Sequence, residues 1–335
     1  MVSVSKQTMQ AIVISRPGGS DVLELQEVPM PHPGKGEVRV RVRATAVNRV
    51  DLLQRMGVYP APPDAPQDIP GIEYAGEIDA VGEAVTTFAP GDRVFGLCGG
   101  GAYAEYLVVH SRTVLRMPRE LQFTEAAAIP EAFMTAYDAL FTQARLGPGE
   151  TLLVHAAGSG VGTAAIQLAV AHGVRVIGTA RTARKLEAAG AFGMHEGILL
   201  THANFAREVL KLTAEMGVDV VLELVGGWYL PEDIECAAPG ARIIVVGLVA
   251  GSRADVELSA VLKKRLEIRG TVLRARPLEE KILLTRSFSR HVLPFIRSGN
   301  FKAVIDRVLP LPQAAEAQEY LAGNQNFGKV VLSIA

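Results

Sequence analysis

Residues 152–173 read LLVHAAGSGVGTAAIQLAVAHG, an apolar run that passes through a cluster of very small residues into an apolar helical pattern. Small residues at a strand-to-helix turn let a pyrophosphate approach the helix N-terminus, where unpaired N–H groups and the helix dipole favour an anion. The strict GxGxxG spacing is not met. With Gly162 in the last slot the first two fall on Ala157 and Ser159, leaving Gly158 and Gly160 as extra small residues; with Gly158 in the first slot, Thr163 is the last. A tight turn without ligand is the plain alternative. The pattern around it favours a dinucleotide, so Ala157, Gly158, Ser159, Gly160, Val161 and Gly162 form the expected cofactor loop.

That pattern alternates strands with helices. Strands are expected at 151–155, 175–179, 218–224 and 242–246, with a weaker one near Ile198, and helices at 161–172, 183–189 and 205–215. Such alternation implies a doubly wound parallel sheet covered on both faces. Before about Phe123 the chain instead shows short strands broken by Gly and Pro. EVRVRVRATAV (37–47) alternates charged and apolar residues, as a strand with one wet face does. A helix is expected from 278 to 297, and the strand–helix–strand tail from 304 to 334 is expected to rejoin the first domain. The expected division is therefore 1–129 with 300–335, and 130–299.

Composition limits the partners. The 335 residues suffice for about two domains. A net charge of −1 gives no electrostatic reason to expect nucleic acid or an acidic membrane. Cys98 and Cys236 form no CxxC pair, which supports neither a disulfide framework nor a structural zinc cage. With no signal-peptide core or membrane-length apolar run, a cytoplasmic location is expected. The second strand runs into VIGTARTARK (176–185), with no acid where an NAD-specific fold places one on the ribose 2′-hydroxyl. Arg181 and Lys185 supply positive charge suited to a 2′-phosphate, so NADPH is the expected cofactor.

The order of AVNRVDLLQRMGVYP (46–60), IPGIEYAGEIDAVG (69–82) and HAAGSGVGTAAIQLA (155–169) resembles the medium-chain dehydrogenase/reductase superfamily over essentially the whole chain. Within it the likeness is to the zinc-free, zeta-crystallin-like quinone oxidoreductase branch, particularly its tumour-suppressor-induced type. The resemblance implies a GroES-like, mostly β catalytic domain and a Rossmann cofactor domain. Zinc-dependent members have Cys at the place of Asn48 and His at the place of Ile72; isoleucine cannot coordinate, so no metal is expected. The resemblance puts Asn48 and Tyr59 on the substrate side of the nicotinamide, both as hydrogen-bond donors; the 57–70 loop, whose prolines hold a long exposed segment in a restricted shape, is the expected rim of the cleft. It gives Thr135, Gly247 and Asn326 cofactor contacts, and has Leu200 where many members place a Tyr on the 2′-phosphate.

The implied activity is NADPH-dependent quinone reduction; reduction of enones or enoyl thioesters, or a non-catalytic crystallin-like or RNA-binding role, are the alternatives. RLEIRGTVLRAR (265–276) reads as an apolar strand with basic flanks; in the family it resembles this edge pairs between subunits, so the resemblance implies a homodimer or tetramer, and the plain reading of Arg274 and Arg276 is that they are solvated. His155 is read as a strand-end histidine held by a hydrogen bond rather than as a base.

Overall fold

The structure is a computed structural model that describes residues 7–200 and 204–335. The described residues divide into two compact units, those of 7–131 with 273–335, and those of 132–272. The second crossing thus falls near 272 rather than at 299. Helix Leu278–His291 packs in the first unit, where Arg112 holds Glu279 at 2.7 Å. The expected helix over 278–297 is two pieces, Leu278–His291 and Leu293–Arg297. Pro294 is the reason: it has no N–H for the preceding turn and disfavours helical geometry at the residue before it.

In the first unit the long strand Glu37–Val47 is the centre of the sheet. It pairs antiparallel with Glu73–Val81, with Tyr106–His110 and with the C-terminal strand Lys329–Ser333. The tail therefore rejoins the first unit. Register decides what meets: Val330 lies opposite Val47, which brings Lys329 beside Asn48, and Tyr74 lies opposite Thr45, which brings Glu73 to the same place. Val38, Val40 and Val42 on the dry face of the long strand are fully buried with Tyr74, Val94 and Val330, as period-2 alternation requires.

The second unit is a six-stranded parallel sheet. Across the sheet the strands run Glu196–Leu199, Arg175–Ala180, Thr151–Val154, Val218–Glu223, Ala237–Val245 and Glu267–Gly270. Numbered along the chain this is the order 3-2-1-4-5-6, with its reversal between Thr151–Val154 and Val218–Glu223. Ligands of such sheets lie outside the carboxyl ends at that reversal. No described helix is long and apolar enough to cross a membrane.

The strand ends at the reversal are tied together by buried polar groups. His155 Nδ1 lies 2.9 Å from the Thr179 hydroxyl and Nε2 lies 2.7 Å from Asp233 Oδ1. Glu223 Oε1 accepts the N–H groups of Val225 and Gly226, while Glu223 Oε2 and Asp233 Oδ2 are buried with no partner. Burial keeps His155 neutral, lowering it from 6.5 to about 4. Burial also raises Glu223 to about 7 and Asp233 to about 8. Each of these buried carboxyls therefore keeps its proton to higher pH than a free one does.

Raised carboxyls contribute stability below their unfolded values, 4.5 for Glu223 and 3.8 for Asp233, which is lost as pH rises through about 7 and 8. The depressed His155 acts oppositely between 6.5 and about 4. From pH 6.5 to 8.5 we expect unfolding free energy to fall by roughly 1–2 kcal/mol. Asp233→Asn, which mimics the protonated acid, should flatten this fall in denaturant titrations; an unchanged slope would contradict the raised carboxyl of Asp233.

Candidate active site

The glycine loop turns sharply after Thr151–Val154. Ala156 has φ +47°, and Ser159 caps helix Gly160–Ala171 by accepting the Gly162 N–H at 3.0 Å. A Cβ on Gly162 would lie 2.5 Å from the Ala156 carbonyl oxygen, so only glycine lets the helix start press onto the strand end. The first-turn N–H groups of a helix have no intrahelical acceptor, and here they sit at the sheet's reversal. Gly247 follows strand Ala237–Val245, and a Cβ there would lie 2.3 Å from the Leu224 carbonyl oxygen. These small residues form a cradle that fits a dinucleotide pyrophosphate.

Other expected cofactor residues fall on both units. Arg181 is exposed at the carboxyl end of strand Arg175–Ala180, and Lys185 stands on helix Ala183–Gly190. Thr135 is buried on helix Pro130–Tyr137. Asn326 belongs to the first unit, where its amide donates to the Gly328 carbonyl at 2.6 Å and braces the turn into the C-terminal strand.

In the first unit Asn48 lies in a buried polar cluster. Its Nδ2 donates to Glu73 Oε1 at 2.7 Å and to the Ala46 carbonyl at 3.1 Å, and its Oδ1 accepts from Lys329 Nζ at 2.6 Å. Both amide protons are thus engaged, leaving none for a substrate in this arrangement. Glu73 is fully buried, pairs with Lys329 at 2.7 Å and accepts the Glu131 N–H at 2.8 Å. Asp51, also fully buried, accepts the N–H groups of Asn48 and Gly71 and the Tyr103 hydroxyl. Burial pushes its carboxyl up to about 6, against those hydrogen bonds and the nearby Arg274 cation.

Tyr59 is partly exposed on the loop after helix Arg49–Arg55, and its hydroxyl has no protein partner among the described residues. The Arg274 guanidinium lies 5.8 Å from its ring centroid. Arg274 corrects the expectation of a solvated side chain. It is 7% exposed, donating from Nε to the Gly99 carbonyl and from Nη2 to Gln54 Oε1. Sequence reasoning missed Arg274 and Lys329 for one reason: their partners are far away in the chain. Lys329 bonds a residue 281 positions upstream, and the only local signal is one cation opening the apolar strand KVVLS.

His155, Glu223 and Asp233 offer ligand atoms all within 4.8 Å of one another. They lie in the second unit, apart in sequence from Asn48 and Ile72, and their hydrogen bonds already serve the strand ends. Ile72, at the place where zinc-dependent members have His, is buried at 2% exposure.

Residues 34–119 match the alcohol dehydrogenase GroES-like domain and residues 160–288 the zinc-binding dehydrogenase family. The chain is 33% identical to the quinone oxidoreductase of Homo sapiens and 36% identical to that of Lama guanicoe, each over 336 residues covering 99% of both chains. Among solved structures, an NAD-dependent alcohol dehydrogenase superposes with a TM-score of 0.86 at 36% identity, covering 98% of this chain and 100% of its own. A mycobacterial protein complexed with NADPH gives 0.88 at 27%, covering 97% and 99%. The CurK enoyl reductase gives 0.84 at 28%, covering 98% and 100%. With the GroES-like sheet, the parallel-sheet unit and these whole-chain identities in agreement, the chain belongs to the quinone oxidoreductase branch of the medium-chain dehydrogenase/reductase superfamily.

Proposed function

We propose that this oxidoreductase reduces quinones with NADPH and without a catalytic metal. The observation that carries the reading is the Lys329–Glu73–Asn48 cluster. A protein ammonium is held by three oxygens, those of Glu73, Asn48 and the Val47 carbonyl, at the position where zinc-dependent relatives have a metal-binding Cys. With Ile72 unable to coordinate, no Lewis acid stabilises an alkoxide there. The acceptor must then be electron-poor by itself, as a quinone is. Bound NADPH supplies the hydride.

The chain's own groups do the rest. The helix start at Gly160, with Ser159 and Gly162, receives the pyrophosphate, and Arg181 with Lys185 faces the 2′-phosphate. Tyr59 offers a hydroxyl to the oxygen that gains negative charge and a flat face to the quinone ring. Asn48 positions Lys329 and Glu73. A second reading, double-bond reduction of an enoyl thioester, draws support from the likeness to CurK.

The edge strand Glu267–Gly270 is exposed, with Ile268 at 40% and nearby Leu262 at 78%. Such an edge suits pairing with a second copy, and we assign a homodimer. The free thiols Cys98 and Cys236 suit a reducing cytoplasm.

With NADPH as donor, ortho- and para-quinones should be turned over faster than any enoyl thioester. Tyr59→Phe should lower kcat/KM for quinones by roughly a hundredfold with unchanged NADPH affinity. Preference for an enoyl thioester, or no effect of the substitution, contradicts the assignment. Arg181→Ala should raise the KM for NADPH roughly tenfold and leave that for NADH alone. Steady-state kinetics with both cofactors checks this; equal effects on the two rule out 2′-phosphate recognition.

A further inference from the structure

We infer that Arg274 is an anion-recognition point beside Tyr59, and that this chain takes acceptors carrying a carboxylate on or next to the conjugated ring. This deepens the quinone reading and rests on it for the role of Tyr59. Arg274 is 7% exposed, yet both of its hydrogen bonds go to neutral oxygens, the Gly99 carbonyl at 2.6 Å and Gln54 Oε1 at 2.5 Å. Its third nitrogen, Nη1, is buried with no hydrogen-bond partner. Asp51 acts on it only through space, because its oxygens are taken by the N–H groups of Asn48 and Gly71 and by Tyr103.

A buried cation is costly unless an anion meets it, and none of the described residues does so in contact. The two neutral acceptors fix the planar fork without neutralising it. Gln54 also ties this point to the loop that carries Tyr59, because its Nε2 donates to the Gln67 carbonyl at 2.9 Å. That loop begins at Gly57 and is followed by Gly71, with φ of +73° and +96°, left-handed values that suit glycine. A carboxylate on Nη1 gains a charge-assisted hydrogen bond. The Tyr59 ring centroid is 5.8 Å from the guanidinium carbon, close enough for a ring carried by that carboxylate to share the site with Tyr59.

The test uses benzoate and benzamide, which have nearly the same shape and differ in charge, with binding to the purified 335-residue chain read by calorimetry. Benzoate should bind at least about tenfold more tightly than benzamide. Arg274→Gln should remove that difference while leaving benzamide affinity unchanged. Equal affinities in the wild type, or no binding of either, overturn the inference whether or not the variant folds. A benzoate preference that persists in folded Arg274→Gln also overturns it. Because the readout is heat and not turnover, a protein that reduces no quinone but binds benzoate through Arg274 upholds the anion point and refutes the quinone reading alone.

Discussion

Lys329 and Glu73 form an ion pair at 2.7 Å in which the lysine side chain is 6% and the glutamate side chain 0% exposed. Taking two such charges from water costs several kcal/mol for each ion, a cost recovered only with close geometry and further hydrogen bonds. Both conditions are met. Asn48 donates to the carboxylate and accepts from the ammonium, and the Glu131 N–H takes the other carboxylate oxygen. The pair needs three strands in one register, since a shift of one residue would turn Lys329 or Glu73 to the opposite face. It thereby fixes where the C-terminal strand sits, how Asn48 is oriented and which cation occupies the cluster.

The second unit solves a different problem with similar means. Its sheet reversal opens a crevice beyond two strand ends, and that crevice serves a cofactor only if the turns lining it hold still. Gly162 and Gly247 let backbone approach backbone where any side chain would collide. Thr179, His155, Asp233 and Glu223 bridge three strands and a helix beneath them. In one unit buried charge is balanced by a lysine, and in the other by a retained proton.

Much of the architecture was legible because it depends on local pattern. The alternating residues of 37–47 give the strand Glu37–Val47 with matching ends, and the small-residue cluster does sit between a strand and a helix capped by Ser159. What was not legible depends on pairing across distance. Strand Leu23–Pro29 has a mostly exposed, polar sequence and is held by its hairpin partner Thr8–Ile14 rather than by its own pattern. Arg274 looks like any basic residue after a strand until Gly99 and Gln54 are placed beside it. Asn48 was readable as a site residue, but its engaged protons become visible only when Glu73 and Lys329 arrive from other strands.

The chemistry follows from these placements. On the proposed reading, a cluster whose cation is an amino group stabilises its neighbours but binds no substrate oxygen as a metal does, and reactivity comes from the acceptor and from the Tyr59 hydroxyl. The most direct measurement is elemental analysis of the purified chain after dialysis against a chelator, made alongside quinone turnover of the same sample. We expect no stoichiometric zinc and undiminished turnover; one zinc per chain, whose removal abolishes turnover, would contradict a lysine-occupied, metal-free centre.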